Sequence, residues 1–231
     1  MFTVITMIKK IFKAFDDILR FFIIYMPGST GRKLRYYYWR KKFKKCGKNV
    51  LIDEGVIIQG AEYISIGDNV WIDKYCVLMA GQVNLAGRTV KRKRNASFKW
   101  EEGELIIEDN VHIAPNCILQ AHGGLYIGKN SGFSSGVKVY TLSNLPNDPN
   151  DFTKVTYFTP LNEISIYYIG PVVIDENVGV ALNSCILPGV TIQKNSFIGP
   201  FSLILTSFKE NSYISGNPAR RIKDRFQMEA K

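Results

Sequence analysis

Histidine is scarce in this chain: it has two, His112 and His122. The four cysteines (Cys46, Cys76, Cys117, Cys185) form no CxxC pair, no disulfide-framework spacing and no cluster with histidine. Zinc sites need such clusters, so no metal is expected. Cys76 and Cys117 each stand two residues before an aliphatic position of the repeat described below, where a small side chain faces inward. They read as buried thiols of a reducing compartment. Long hydrophobic runs are missing too. The most apolar stretch, Phe21 to Met26, is too short for the core of a signal peptide, follows Arg20, and falls far below the length that spans a bilayer. The expectation is a cytoplasmic protein, free or peripheral at the inner face of the membrane. Acids are nearly absent from one segment. Residues 1–48 hold thirteen Lys/Arg and two Asp, whereas residues 49–231 hold seventeen Lys/Arg and eighteen Asp/Glu. The whole basic excess of +10 therefore sits at the N-terminal end.

What is present is a ladder. Ile174, Val180, Ile186, Ile192, Ile198 and Ile204 recur at a strict period of six. A helix repeats its apolar face every 3.6 residues and a half-buried strand every two. Six fits very short strands joined by sharp turns, each placing one large aliphatic inward, which is the mark of a β-helix. The ladder begins at Ile52 and Ile58. It continues through Ile66, Ile72 and Leu78, then Ile107, Ile113 and Leu119, then Leu125, Ile127, Phe133 and Val139. Blocks open on one phrase, such as Ile64-Ser65-Ile66-Gly67-Asp68 and Leu125-Tyr126-Ile127-Gly128-Lys129. The Gly, Asp and Asn after the aliphatic suit turns that need positive φ. Ser184, Val190, Ser196 and Ser202, two before ladder positions, fit the space that remains inside. Three faces make a triangular coil, and coils stack as parallel strands about 4.8 Å apart. About six or seven coils over residues 49–214 are expected, with stacking rather than any one coil supplying the core.

Two insertions interrupt the ladder. Residues 83–104 carry Arg88, Lys91, Arg92, Lys93 and Arg94, and residues 141–170 are rich in Asn, Pro, Asp and Tyr. Loops of this length in a compact repeat are usually functional or disordered. Residues 215–231 read as a basic helix capping the stack. At the other end, residues 1–48 read as a helical arm. Ile8, Ile11, Phe12, Phe15, Ile18, Leu19 and Phe22 form an amphipathic stripe over 8–26, stopped by Pro27-Gly28. Residues 32–48 follow with nine basic residues, no acid, and interleaved Tyr36, Tyr37, Tyr38, Trp39 and Phe43. This arm has three readings: a docking helix on its own or a neighbouring β-helix, a nucleic-acid track, or an anchor on an anionic membrane surface. The near-neutral remainder argues against nucleic acid, since nothing extends the positive track. The apolar stripe followed by a polybasic run favours the membrane.

Ile186-Leu187-Pro188-Gly189-Val190-Thr191-Ile192, followed by Ser215-Gly216-Asn217-Pro218-Ala219-Arg220, resembles the C-terminal half of the hexapeptide-repeat acyltransferases. With the blocks at 64–81 and 105–140, the resemblance covers about residues 50–225. It is nearest to the sugar O-acetyltransferases of polysaccharide biosynthesis, which include galactoside acetyltransferases. The resemblance implies an all-β fold, a left-handed parallel β-helix, a homotrimer, and acetyl-CoA as donor without a metal. It also implies a sugar or lipid-linked sugar as acceptor. The family mechanism uses a histidine to take the proton of the acceptor hydroxyl, because a hydroxyl is a poor nucleophile without a base. Backbone N–H groups then stabilise the oxyanion.

The galactoside-type histidine falls on Tyr140-Thr141-Leu142-Ser143-Asn144 here, which puts Asn144 at its position, and an amide is no base near neutral pH. His112 directly precedes Ile113 and should point outward from a flat face. His122 stands at a corner, three after Leu119, and one coil places it about 5 Å from the start of the second insertion. It is either a solvated turn residue or the base, and the base reading is preferred. For coenzyme A the resemblance points to Ala181, Asn183, Pro200 and Leu205 along the pantetheine groove, and to Arg220 and Lys223 at the phosphates. Here Gly179-Val180-Ala181 and Gly199-Pro200-Phe201 depart from the family's usual Trp-Ile-Gly and Gly-Ala-Gly phrases.

Two other readings stay open beside the O-acetyltransferase. One is an N-acyltransferase on an amino-sugar, and the other is a catalytically inactive β-helix scaffold. A count of two argues strongly against a three-histidine zinc enzyme on the same fold.

Overall fold

A computed structural model describes residues 16, 18–148, 151–155 and 166–226. Three parallel sheets form the faces of a triangular prism that winds left-handed. Ordinary parallel crossovers are right-handed, so the hand is a property of this repeat and not of strand pairing in general. The first face stacks Lys45–Cys46, Ile64–Ile66, Leu105–Ile107, Leu125–Ile127, Val172–Ile174 and Thr191–Ile192. The second runs from Leu51–Ile52 through Phe197–Ile198 and Ser212–Gly216 to Ala219–Asp224. The third runs from Ile57–Gln59 to Leu203–Ile204. Six coils are complete among the described residues, and every ladder residue named above is buried. Each contributes about 1.5–3 kcal/mol by leaving water. Ser184, Ser196 and Ser202 also point inward, and each donates to a nearby carbonyl, as Ser184 Oγ does to Gly199 O at 2.9 Å.

The corners explain the turn residues. Between the first and second faces, Asn49, Asn69, Asn110, Asn130, Asn177, Asn195 and Asn211 all have φ between 54° and 59°. Their side chains bond upward in a column: Asn49 Nδ2 to Asn69 Oδ1 at 3.0 Å, Asn69 to Asn110 at 3.1 Å, Asn110 to Asn130 at 3.0 Å, and Asn177 to Asn195 at 2.9 Å. Between the third and first faces the positive-φ residues include Gly60, Gly81, Gly124 and Gly189.

Both insertions leave from this third corner. Their necks are closed by backbone bonds, Gly81 N to Gly103 O at 2.8 Å and Gly170 N to Thr141 O at 3.0 Å. The stack therefore continues in register across them, Ile64 opposite Leu105 and Leu125 opposite Val172. The insertions are not plain loops. Leu142–Asn144 pairs antiparallel with Ile166–Ile169, which pairs in parallel with Thr89–Arg92.

The ends differ from each other. The expected C-terminal helix is corrected: Ser212–Gly216 turns back into the strand Ala219–Asp224, an antiparallel hairpin that closes the second face. Backbone pairing to an open sheet edge outcompetes helix formation there, and residues 227–231 lie outside the described set. At the N-terminal end the arm docks on its own β-helix. Helix Gly28–Arg40 places Trp39 over the first coil, and Phe43 follows it into the core. Buried Asp53 takes hydrogen bonds from Arg32 and, at 2.9 Å, from Trp71 Nε1. Burial alone would raise the Asp53 carboxyl, but the bonds from Arg32 and Trp71 and the Arg32 and Arg35 charges hold it below the usual carboxylate range. Residues 18–25 are helical, and residues 8–15 and 17 of the expected amphipathic helix lie outside the described residues.

Two stability effects are expected. Asn110→Ala should lose about 2 kcal/mol in urea denaturation, from an L-residue forced to positive φ and two lost bonds, and Asn110→Gly about half of that. A depressed carboxyl stabilises above the unfolded pKa, and that stability is lost as pH falls through the folded value. Asp53→Asn should therefore cost about 2 kcal/mol at neutral pH, less than a fully buried pair because Arg32 is partly exposed. The deficit should shrink as the pH is lowered through the carboxylate range.

Candidate active site

The third corner gathers the groups that could do chemistry. After strand Ile118–Gln120 the chain turns through Ala121-His122-Gly123-Gly124 into Leu125–Ile127. His122 is half-buried, with Nδ1 2.8 Å from the carbonyl oxygen of Gly81 one coil below. A carbonyl can only accept, so Nδ1 carries a proton, and in the neutral ring Nε2 is then the nitrogen with the lone pair. This is the tautomer a general base needs.

The flanking residues hold the corner in shape. Gly123 N donates to Thr141 Oγ1 at 2.8 Å, and Thr141 Oγ1 donates to Gln120 O at 2.9 Å. The Gln120 side-chain oxygen accepts from Thr141 N at 3.2 Å and Leu142 N at 2.9 Å. One coil thus fixes where the second insertion departs from the next. The strand Leu142–Asn144 then leads away, with Asn144 opposite Tyr167. His122 and Asn144 belong to the same corner but to different elements.

The first insertion climbs this corner. Lys93 N donates to Ile169 O at 2.8 Å, and Asn95 Nδ2 reaches Thr191 Oγ1 at 2.8 Å and Pro171 O at 3.2 Å. Phe98 lies over Gly124, where φ is +97° and a Cβ would come within 2.3 Å of the Phe98 ring. Trp100 stacks on Tyr126 at 4.3 Å with an interplanar angle of 13°, and Phe98 meets Trp100 edge-on at 5.5 Å. Burial, then the Glu108, Asp175 and Glu176 carboxylates, push the Tyr126 phenol up, so it stays neutral. Between these parts lies a cavity of about 470 Å³ whose walls include Arg92, Arg94, Phe98, Trp100, Gly123 and Ile169. Arg92 is ion-paired with Glu102, and Arg94 is exposed. Cations beside aromatic rings are suited to an anionic ligand carrying a flat ring.

His112 points outward from the second face, as expected. It stacks on Trp71 at 4.7 Å, with Nε2 3.8 Å from Asp73 Oδ2. Above it Gly132 and Gly179 leave a shallow depression of about 270 Å³ bounded by Phe197.

The residues assigned to coenzyme A are divided. Ala181, Asn183 and Pro200 share the corner between the second and third faces. Asn183 is a turn residue there, with φ 54° and its N–H on Ser135 O at 3.1 Å. Leu205 follows Leu203–Ile204 onto the third corner instead. Arg220 and Lys223 stand exposed on the closing hairpin. Exposed Leu182 and Phe201 flank the first group, and Phe201 holds a positive φ that a bulky side chain rarely adopts. Sequence reasoning passed over Gln120, Thr141, Phe98 and Trp100. Aromatic residues following a run of cations were the available signal. Among the described residues no group of three or more His, Cys, Asp or Glu is placed to hold a metal.

No family model matches the chain. It is 28% identical over 192 residues to a dTDP-4-amino-4,6-dideoxy-D-glucose acyltransferase of Escherichia coli, covering 79% of this chain and 83% of that one. It is 30% identical over 146 residues to the galactoside O-acetyltransferase of Lactococcus lactis, covering 54% and 69%. Among solved structures it matches a variant of AntD, an N-acyltransferase from Bacillus cereus in complex with dTDP and coenzyme A. The TM-score is 0.64 at 26% identity, over 81% of this chain and 88% of that one.

Proposed function

The chain belongs to the hexapeptide-repeat sugar acyltransferases, and from that membership we propose that it moves an acyl group from coenzyme A to the amino group of a nucleotide-linked sugar. The observation that carries the reading is His122, held by Gly81 in the tautomer that leaves Nε2 free, at the corner where both insertions meet. Nε2 takes a proton from the acceptor nitrogen as that nitrogen attacks the thioester carbonyl. The tetrahedral oxyanion collapses, the carbon–sulfur bond breaks, and the proton passes to the departing thiolate. The product is an amide and free coenzyme A.

The nucleotide part rests on the cavity walled in part by Gly123, the residue after His122. Arg94 and the Phe98 and Trp100 rings in its wall match a diphosphate and a base. The relatives similar over most of this chain are named for dTDP-linked amino-sugars and for N-acyl transfer. Acyl-CoA would lie with its pantetheine along Ala181, Asn183 and Pro200, on the corner between the second and third faces, and its phosphates near Arg220 and Lys223, so that its thioester would meet His122 of a neighbouring copy in a homotrimer. The homotrimer implied by the family belongs to the same reading and is read out by light scattering. O-acetylation of a sugar hydroxyl is the second reading, favoured by the similarity to the galactoside O-acetyltransferase.

His122→Gln removes the base, and kcat/KM should fall by about 10²–10⁴-fold in a thiol-release assay with acyl-CoA and a dTDP-linked amino-sugar. KM for acyl-CoA should hold. An amine acceptor loses its own proton as pH rises, so the deficit should narrow toward alkaline pH, whereas with a hydroxyl acceptor it would not. Activity near wild type would remove His122 from the mechanism. Arg94→Ala and Trp100→Ala should each raise KM for the nucleotide-sugar about tenfold or more with KM for acyl-CoA unchanged. Equal turnover of free and nucleotide-linked sugars would overturn the nucleotide assignment.

A further inference from the structure

The helix at residues 18–25 turns its large apolar side chains away from the core. Ile18, Leu19, Phe21, Phe22 and Tyr25 are between 44% and 58% exposed. The three rings meet, Phe21 against Tyr25 at 5.1 Å and against Phe22 at 5.7 Å. Single exposed apolar residues are ordinary, but a contiguous group of this kind marks an interaction surface.

This helix is nevertheless fixed firmly. Arg35, wholly buried, donates from Nη1 to the carbonyls of Ile23 at 3.0 Å, Ile24 at 3.3 Å and Met26 at 2.7 Å, and from Nε to Ile52 O in the first coil at 2.7 Å. Gly55 N donates to Ile24 O at 3.0 Å. These carbonyls end the helix and would otherwise be orphaned. Burial lowers the Arg35 pKa, although the nearby Glu54 and Asp53 charges oppose the shift. A buried guanidinium is costly, and here it ties an outward-facing apolar helix to the rigid end of the β-helix. Covering the first coil does not call for that tie, because Trp39 and Phe43 already do so.

The neighbouring segment supplies charge. Residues 28–48 contain no acid, and Lys33, Arg40, Lys41, Lys42, Lys45 and Lys48 are exposed there. Arg32 and Lys44 are taken by Asp53 and Glu104. An apolar face and a cationic one on the same end are the two signals that hold a protein at a bilayer, where either alone is weak. We propose that this end docks on an anionic lipid surface, with Ile18, Leu19, Phe21, Phe22 and Tyr25 entering the headgroup–acyl boundary and the flanking lysines facing lipid phosphates. A second copy on the same patch would set these cations against their own equivalents. Nucleic acid would leave the aliphatic side chains unpartnered.

Vesicle flotation of the full chain tests this, using phosphatidylcholine alone and with about a quarter phosphatidylglycerol. Binding to the anionic vesicles only is expected, weakening with salt. The double variant Phe21→Glu/Phe22→Glu alters two exposed side chains, so its melting and acyl transfer should match wild type while partitioning falls at least about tenfold. Failure of wild type to float with anionic vesicles overturns the proposal, as does unchanged binding by the double variant. An oligomer that the double variant dissolves, with no vesicle binding by wild type, assigns the patch to a second copy instead. Because acyl transfer is read separately, failure here leaves the catalytic reading untouched.

Discussion

Everything in this molecule depends on the chain's ability to turn a corner with positive φ every six residues or so. An L-residue held in that conformation is disfavoured by about 1–2 kcal/mol, and a stack of coils needs it many times over. Asparagine supplies it along one corner and glycine along another. The asparagines also bond to the coil above, so the residue required by the backbone becomes a column that sets the axial repeat. With corners fixed, paired strands fall in register, as Ile118 does opposite Lys138 and Val77, and every aliphatic of the ladder points inward. The regular scaffold carries no chemistry itself. Its contribution is to place a carbonyl or an amide at a known height on a known corner.

The insertions show how that regularity is used. Each leaves the third corner and returns to it through a neck closed by one backbone bond, so neither disturbs the pairing above. Two segments far apart in sequence thereby meet in one small sheet beside His122. The first segment reaches its place because glycine at 124 and 189 lets Phe98 and the Lys93 stem lie close against the coil.

Much of this was legible in the sequence, for a physical reason. A period of six with small inward partners has one economical solution, and the ladder, the buried Cys76 and Cys117 and both points of insertion follow from it. The corner position of His122 was legible because register is countable along a solenoid. What could not be counted was anything leaving the stack. The strands within the insertions pair with each other through contacts of long sequence separation, which no local pattern encodes. The C-terminal segment read as a basic helix because the open edge of the second face, which recruits it into a strand, is invisible from residues 215–231 alone. The arm divided in the same way. Its amphipathic pattern was visible, but Arg35, one cation among nine in residues 32–48, gave no sign that it would be the buried one.

His122 and His112 show how a corner and a face differ in what they fix about a histidine ring. On a face, an outward side chain such as His112 stacks on its neighbour one coil away, and its ring nitrogens meet whatever side chains lie alongside. At the corner the nearest group is a backbone carbonyl whose position is set by the coil below, and whose chemistry permits only acceptance. The proton is thus assigned to Nδ1 by the fold itself. Asn144 departs from the family's histidine at a point where the chain has already entered the insertion sheet. A side chain carried there is positioned by the insertion, whereas the His122 ring is positioned by the stack.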